Sequence, residues 1–128
     1  MATWGEIQAH MRARYRLTVD EAEVLAMAWA YADGRHQRIV VRRHQTAGRE
    51  VVEFKSPFAT YGGPDPLELL RENLRLTVGA VALSGDVYVL VHNEDLAALT
   101  LARLDELLGR VAAQADRLEG RFGLKDQF

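Results

Sequence analysis

The chain has no cysteine. That removes disulfides, thiol catalysis and every thiolate metal site, and it fits a reducing compartment. Lysine is nearly missing, with Lys55 and Lys125 as its only members. Prolines are few and sit at positions 57, 64 and 66. No apolar run approaches the roughly 20 residues of a membrane span; the longest is Val24 to Ala32. No apolar segment of the signal-peptide type lies near the N-terminus, where Glu6 comes early. A cytoplasmic protein with no membrane partner is the expectation. Excess charge is also lacking: the net charge of −2 gives no general pull toward nucleic acid.

What is there describes a globular protein. Hydrophobic residues make up 48% and charged residues 27% of the 128 positions, ordinary for a folded domain. That length suits one domain spanning 1–128, burying about two-thirds of its unfolded surface.

Thr3 and Glu6 have capping-box spacing, and Trp4, Ile7, Met11 and Tyr15 recur at helical intervals. Residues 4–15 therefore read as an amphipathic helix. Residues 22–32 permit two readings. Alanine content and Thr18-x-x-Glu21 favour a helix. Alternation of Leu25, Met27, Trp29 and Tyr31 favours a strand, and the Asp33-Gly34 turn before the β-rich run Arg38–Arg43 decides for a strand hairpin. Thr46-Ala47-Gly48 makes a second turn into a strand at 50–55, which Ser56-Pro57 is expected to end. Thr60 to Pro64 reads as a loop.

Asp65-Pro66 opens a second helix with Asp at the N-cap and Pro at N1. Leu67, Leu70 and Leu74 form one face, widened by Leu69 and Leu76. This stripe is broader than one packing face needs, so Leu70 and Leu74, with the following hairpin, are the expected contact of a homodimer. Strands at 78–83 and 87–92 flank the Ser84-Gly85-Asp86 turn. Asn93 is the expected cap of a last helix carrying Leu96, Leu99, Leu104, Leu107, Leu108, Val111, Ala115, Leu118 and Phe122, roughly 40 Å long.

Candidate chemistry is thin. His36, His44 and Glu50, or His92 and Asp95, lack any recognised ligand spacing, so no metal or other cofactor is expected. Gly62-Gly63 precedes a helix, but the P-loop lysine is missing and Asp65 opposes an anion. Ser56 and Ser84 have no nucleophile-elbow context. The cluster Arg35, Arg38, Arg42, Arg43, His44 and Arg49 is split between two faces of a strand, and Glu50 and Glu53 can pair with part of it. It reads as a solvated sheet face before it reads as a nucleic-acid site. No catalytic residue is assigned.

The element order α-β-β-β-α-β-β-α defines an α+β protein whose antiparallel sheet packs against helices. It resembles the fold shared by class I type III secretion chaperones (the CesT/Tir-chaperone type) and bacterial YbjN-like proteins. Gly34-Arg35-x-Gln37-x-Ile39-x-Val41 is similar to the first turn and second strand of the YbjN-like branch. Ser56 stands where that branch often closes its third strand with serine. Leu69-Leu70-x-x-Asn73 and Ala115-Asp116-x-Leu118-Glu119 resemble its middle and last helices. The resemblance implies a non-enzymatic, usually dimeric protein; secretion chaperones of this fold hold an extended segment of a client. This chain departs from them in being only mildly acidic. The expected readers of a partner segment are Trp4, Ile7 and Met11 on the first helix and Trp29 and Tyr31 on the first strand. Two alternatives stand beside this: a ligand-binding protein or enzyme using a helix–sheet pocket, with His92 and Asp95 its foothold, and nucleic-acid binding through the arginine strands.

Overall fold

A computed structural model describes residues 1–123. The elements are α1 (Trp4–Arg14), β1 (Leu17–Asp20), β2 (Val24–Ala30), β3 (His36–Thr46), β4 (Arg49–Thr60), α2 (Pro66–Glu72), β5 (Ala80–Ser84), β6 (Val87–Asp95), a 3-10 turn (Leu96–Ala98) and α3 (Leu101–Phe122). All six strands form one antiparallel sheet in the order β1-β2-β3-β4-β6-β5. The α+β class and the element order of the sequence reading hold, with one strand added.

Register explains the burial. Leu25 pairs with Val41, Met27 with Ile39, and Val41 with Phe54; all are at most 2% exposed. These alternate residues make the face covered by helices. Onto it α3 lays Leu104, Leu107, Leu108, Val111, Ala112, Ala115 and Leu118, each fully buried. A leucine buried this way contributes about 1.5–3 kcal/mol, so α3 supplies much of the stability. Trp4, Ile7 and Met11 bring α1 into the same core. The opposite face of the sheet carries no helix among the described residues.

Residues 22–32 are extended where the alternation placed them, as β2. The extra strand is β1, over residues read only as a possible helix cap. It pairs with Leu25, Ala26 and Met27 and carries a bulge between Leu17 and Val19. Ser56-Pro57 does not end β4. The strand runs on to Thr60 with a register shift between Pro57 and Ala59; a bulge accommodates the missing proline N–H.

Asp65 caps α2, accepting from the Leu67 N–H, and Pro66 takes the first position as expected. This helix spans only seven residues. Asn93 is not the cap of α3: β6 continues through it to Asp95, and Thr100 caps the helix by accepting from Arg103 N–H at 3.1 Å. At 22 residues α3 is about 33 Å long, shorter than the 40 Å expected. Gly79 precedes β5 at φ +74°, where a Cβ would stand 2.8 Å from the Val91 carbonyl oxygen, so only glycine fits there.

Candidate partner-binding site

The five candidate readers fall into two groups. Trp4 is 5% exposed, and Ile7 and Met11 are completely buried. Their stripe is the face by which α1 joins the core, and the Trp4 indole N–H donates to the Ala22 carbonyl at 2.8 Å. All three are packed into the core, so the free chain does not present them at its surface. Trp29 and Tyr31 are half-buried at the end of β2. Trp29 lies 6.0 Å from the Tyr15 ring, and α3 gives it room at Gly109, where a Cβ would meet the indole at 3.5 Å. Tyr31 lies under the Arg35 guanidinium, 5.2 Å from ring centre to cation. Its hydroxyl is buried without a hydrogen-bond partner in the described structure. Burial and the nearby Asp116 charge push this phenol above its usual value, against the opposing charge of Arg35.

Beside this pair the sheet has an open edge. β1 covers β2 only along Leu25–Met27, so no strand among the described residues pairs with the outer side of Ala28–Ala30. The other edge, β5, is partly closed, because the Val81 N–H donates to the Asn73 side chain at 2.6 Å. A covered edge group cannot template a further strand.

Around β5 and α2 lies a different surface. Leu67, Leu70 and Leu74 are 58%, 61% and 92% exposed, with Tyr61 and Leu83 also open; only Leu69 turns inward. The helix is held in this pose by Glu72, whose buried carboxylate meets Arg75, Arg117 and Arg121 at 3.5, 3.3 and 2.5 Å.

One polar cluster fastens the helical layer and a second ties two strands together. Asp105 of α3 accepts from the Tyr15 hydroxyl at 2.6 Å, meets the His10 imidazole at 2.9 Å and lies 3.6 Å from Arg14. Desolvation alone would raise this carboxyl. The hydrogen bonds from Tyr15 and His10 and the charges of His10 and Arg14 outweigh it, so Asp105 sits below the ordinary carboxylate value. Tyr15 is pushed up to about 12, first by burial and then by its bond to Asp105. Inside the sheet, the Gln37 amide donates to Ser56 Oγ at 2.9 Å and to the Pro57 carbonyl at 2.8 Å, and Ser56 donates to the Arg38 carbonyl at 2.5 Å. The serine and glutamine of the sequence strings thus clamp β3 to β4 where the bulge begins.

Arg35 binds Asp33 and Asp116, Arg42 binds Glu53, Arg43 binds Glu50 and Arg49 binds Asp95. The arginine cluster is therefore mostly internally paired. His92 lies 2.9 Å from Glu94, itself 3.5 Å from Arg103, while Asp95 turns to Arg49. The two residues on which an enzymatic reading rested do not meet. His36 stands at the start of β3 and His44 near its end, beside Asn93. Among the described residues no three histidines or carboxylates come together as metal ligands would. No helix among them is long and apolar enough to cross a membrane. A helix–sheet cavity of about 650 Å³ does exist, lined by Met1, Ala2, Trp4, Leu96 and the Arg43–Glu50 and Arg49–Asp95 pairs. Its charges neutralise one another, and it holds no paired acid and base.

The Asp105 and Glu72 anchors were not visible in the sequence. Each is one acid in a charged helical stretch, and only the packing of α3 selects them.

No protein-family model matches the sequence, and no curated protein matches it. The fold does match solved structures. A chain of the HopA1–SchA chaperone–effector complex superposes with a TM-score of 0.64 at 10% identity, covering 88% of this chain and 89% of that one. A chain of the heterodimeric ExoU–SpcU complex, from the type III secretion system of Pseudomonas aeruginosa, gives 0.60 at 15% identity, covering 91% and 97%. The chain thus shares its fold with these chains of chaperone–effector complexes.

Proposed function

We propose that this protein is a non-enzymatic, chaperone-like module that holds an extended segment of a partner protein. The observation that carries the reading is the open outer side of Ala28–Ala30 beside Trp29 and Tyr31. Free backbone N–H and C=O groups pair with any extended chain, and adjacent aromatics read its alternate side chains. The fold likeness to chains of chaperone–effector complexes supports the same reading. Trp4, Ile7 and Met11 serve it indirectly, by fixing α1 beside β1.

The proposal includes a homodimer in the cytoplasm, with Leu70 and Leu74 at the contact. A cluster of leucines this exposed on a short helix costs solubility unless covered, and α2 is pinned so that it presents them.

The test takes a partner co-purified with the protein and measures its affinity for variants that keep the native circular dichroism. Tyr31→Ala and Trp29→Ala are expected to weaken binding by about tenfold or more each, as truncated aromatic anchors do. His92→Ala is expected to leave affinity unchanged. Full affinity in both aromatic variants would remove this edge as the site, and turnover of a small molecule abolished by His92→Ala would overturn the non-enzymatic reading.

A further inference from the structure

The helix-free face of the sheet has a chemistry of its own. Register pairs Ala28 with Arg38 and Pro57 with Val89, and places Ala26, Val40, Lys55, Val91 and Ala80 in one row. A groove of about 590 Å³ lies at this end of the face. It is lined by Thr18 and Val19 of β1, Ala28 of β2, His36 and Arg38 of β3, and Val87 of β6, so it opens from the β1 side of the sheet. Its floor is small and apolar, and its ionisable lining groups are the basic residues His36 and Arg38.

The charge on this face runs against the whole chain. Arg42 and Lys55 share one carboxylate, Glu53, which lies 3.2 Å from Arg42, 3.7 Å from Lys55 and 4.0 Å from His44. Arg38 is exposed and makes no side-chain ion pair or hydrogen bond among the described residues. A chain of net charge −2 therefore concentrates unneutralised positive charge beside its open edge. Charge placed this way selects a partner by sign and attracts it over about a Debye length.

We infer that this groove takes an acidic stretch of the partner segment, with glutamates or aspartates interspersed among small apolar residues. The inference rests on the proposed partner-binding function and adds the chemistry of the segment. Carboxylates would pair with Arg38 and, when it is protonated, His36, while valine- or alanine-sized side chains lie on Ala28 and Val87. A nucleic-acid strand is the lesser fit, since the groove has no aromatic on which bases could stack.

The experiment uses the full chain and a fluorescein-labelled peptide of alternating glutamate and valine, read by fluorescence anisotropy. Controls are the same peptide with lysine for glutamate, the same with glutamine, and a labelled oligothymidylate. The glutamate peptide is expected to bind, to weaken as salt rises, and to lose about tenfold in affinity with Arg38→Glu and less with Arg38→Gln. Arg38 has no side-chain partner to lose among the described residues, so both variants should fold, which circular dichroism checks. Equal binding of the lysine or glutamine peptide, affinity unmoved by Arg38→Glu, or preference for the oligonucleotide would overturn the inference. A natural partner that binds through Trp29 and Tyr31 but is indifferent to Arg38→Glu would overturn the groove alone and leave the partner-binding function standing.

Discussion

Glu72 of α2 and Arg121 of α3 meet at 2.5 Å, with the carboxylate 2% exposed and the guanidinium 45% exposed. A buried acid held by partly solvated arginines is an asymmetric contact. Removing the acid leaves cations that water can still serve, whereas removing the arginines would strand a buried charge. The contact matters because a seven-residue helix does not hold its position by propensity. Glu72 docks α2 with Leu69 inward and Leu67, Leu70 and Leu74 outward.

Replacing Glu72 by Gln is expected to lower unfolding stability by about 1.5–3 kcal/mol, the range for losing hydrogen bonds to a charged group. Urea denaturation measures it. Hydrogen exchange should speed up in α2 before it does in α3.

The Asp105 cluster makes stability depend on pH at both extremes. Asp105 lies below its ordinary value when folded, so its contribution is complete above about pH 4 and is lost as pH falls through the folded value. Asp105→Asn should therefore cost about 1–2 kcal/mol at neutral pH, and the gap to the wild type should close in acid. Tyr15 is raised to about 12. Its neutral form is the one the fold favours, so its contribution is complete below about pH 10 and lost as pH rises through 12. Tyr15→Phe should differ from the wild type by a constant amount between about pH 5 and about pH 10, and by less outside that window. Chemical denaturation across pH reads both.

Ala47 occupies the turn between β3 and β4 at φ 50°, followed by Gly48 at φ 75°. Positive φ at both central residues favours asparagine or glycine first; the left-handed conformation costs alanine roughly 1–2 kcal/mol, part of which asparagine offsets by hydrogen-bonding locally. Ala47→Asn is expected to raise the melting temperature by a few degrees, equivalent to about 0.5–1 kcal/mol. A thermal scan checks it.

Leu70→Asp and Leu74→Asp change side chains that are 61% and 92% exposed. Neither should alter the stability of the folded chain by more than about 0.5 kcal/mol. Both should move the mass found by light scattering from twice 14.4 kDa toward 14.4 kDa. A wild-type chain of single mass at micromolar concentration would remove the homodimer.

The fold was legible where local pattern and tertiary demand agree. The alternation of Leu25, Met27, Trp29 and Tyr31, backed by Asp33-Gly34, outweighed the helical propensity of the five alanines in residues 22–32, and β2 is extended. Asp65-Pro66 placed the start of α2 to the residue. Leu17–Asp20 was not legible, because a four-residue strand with a bulge has no period to detect. Pro57 misled for a related reason: proline forbids a ladder bond, but a bulge removes the need for one. Among the site residues, helical spacing found Trp4, Ile7 and Met11 and could not tell which way the stripe points. Asp105 and Glu72 gave no signal, since neither periodicity nor capping marks an acid that another element will reach.

Hydrogen exchange on a complex with a co-purified partner tests the central claim most directly. If the protein holds an extended segment at its open edge, amides of Ala28–Ala30 and β1 should gain protection on binding. The partner's protected stretch should be short, contiguous and extended, and His92→Ala should change neither. Protection confined to the cavity lined by Ala2, Trp4 and Leu96, with the outer strands exchanging as they do in the free protein, would contradict the account.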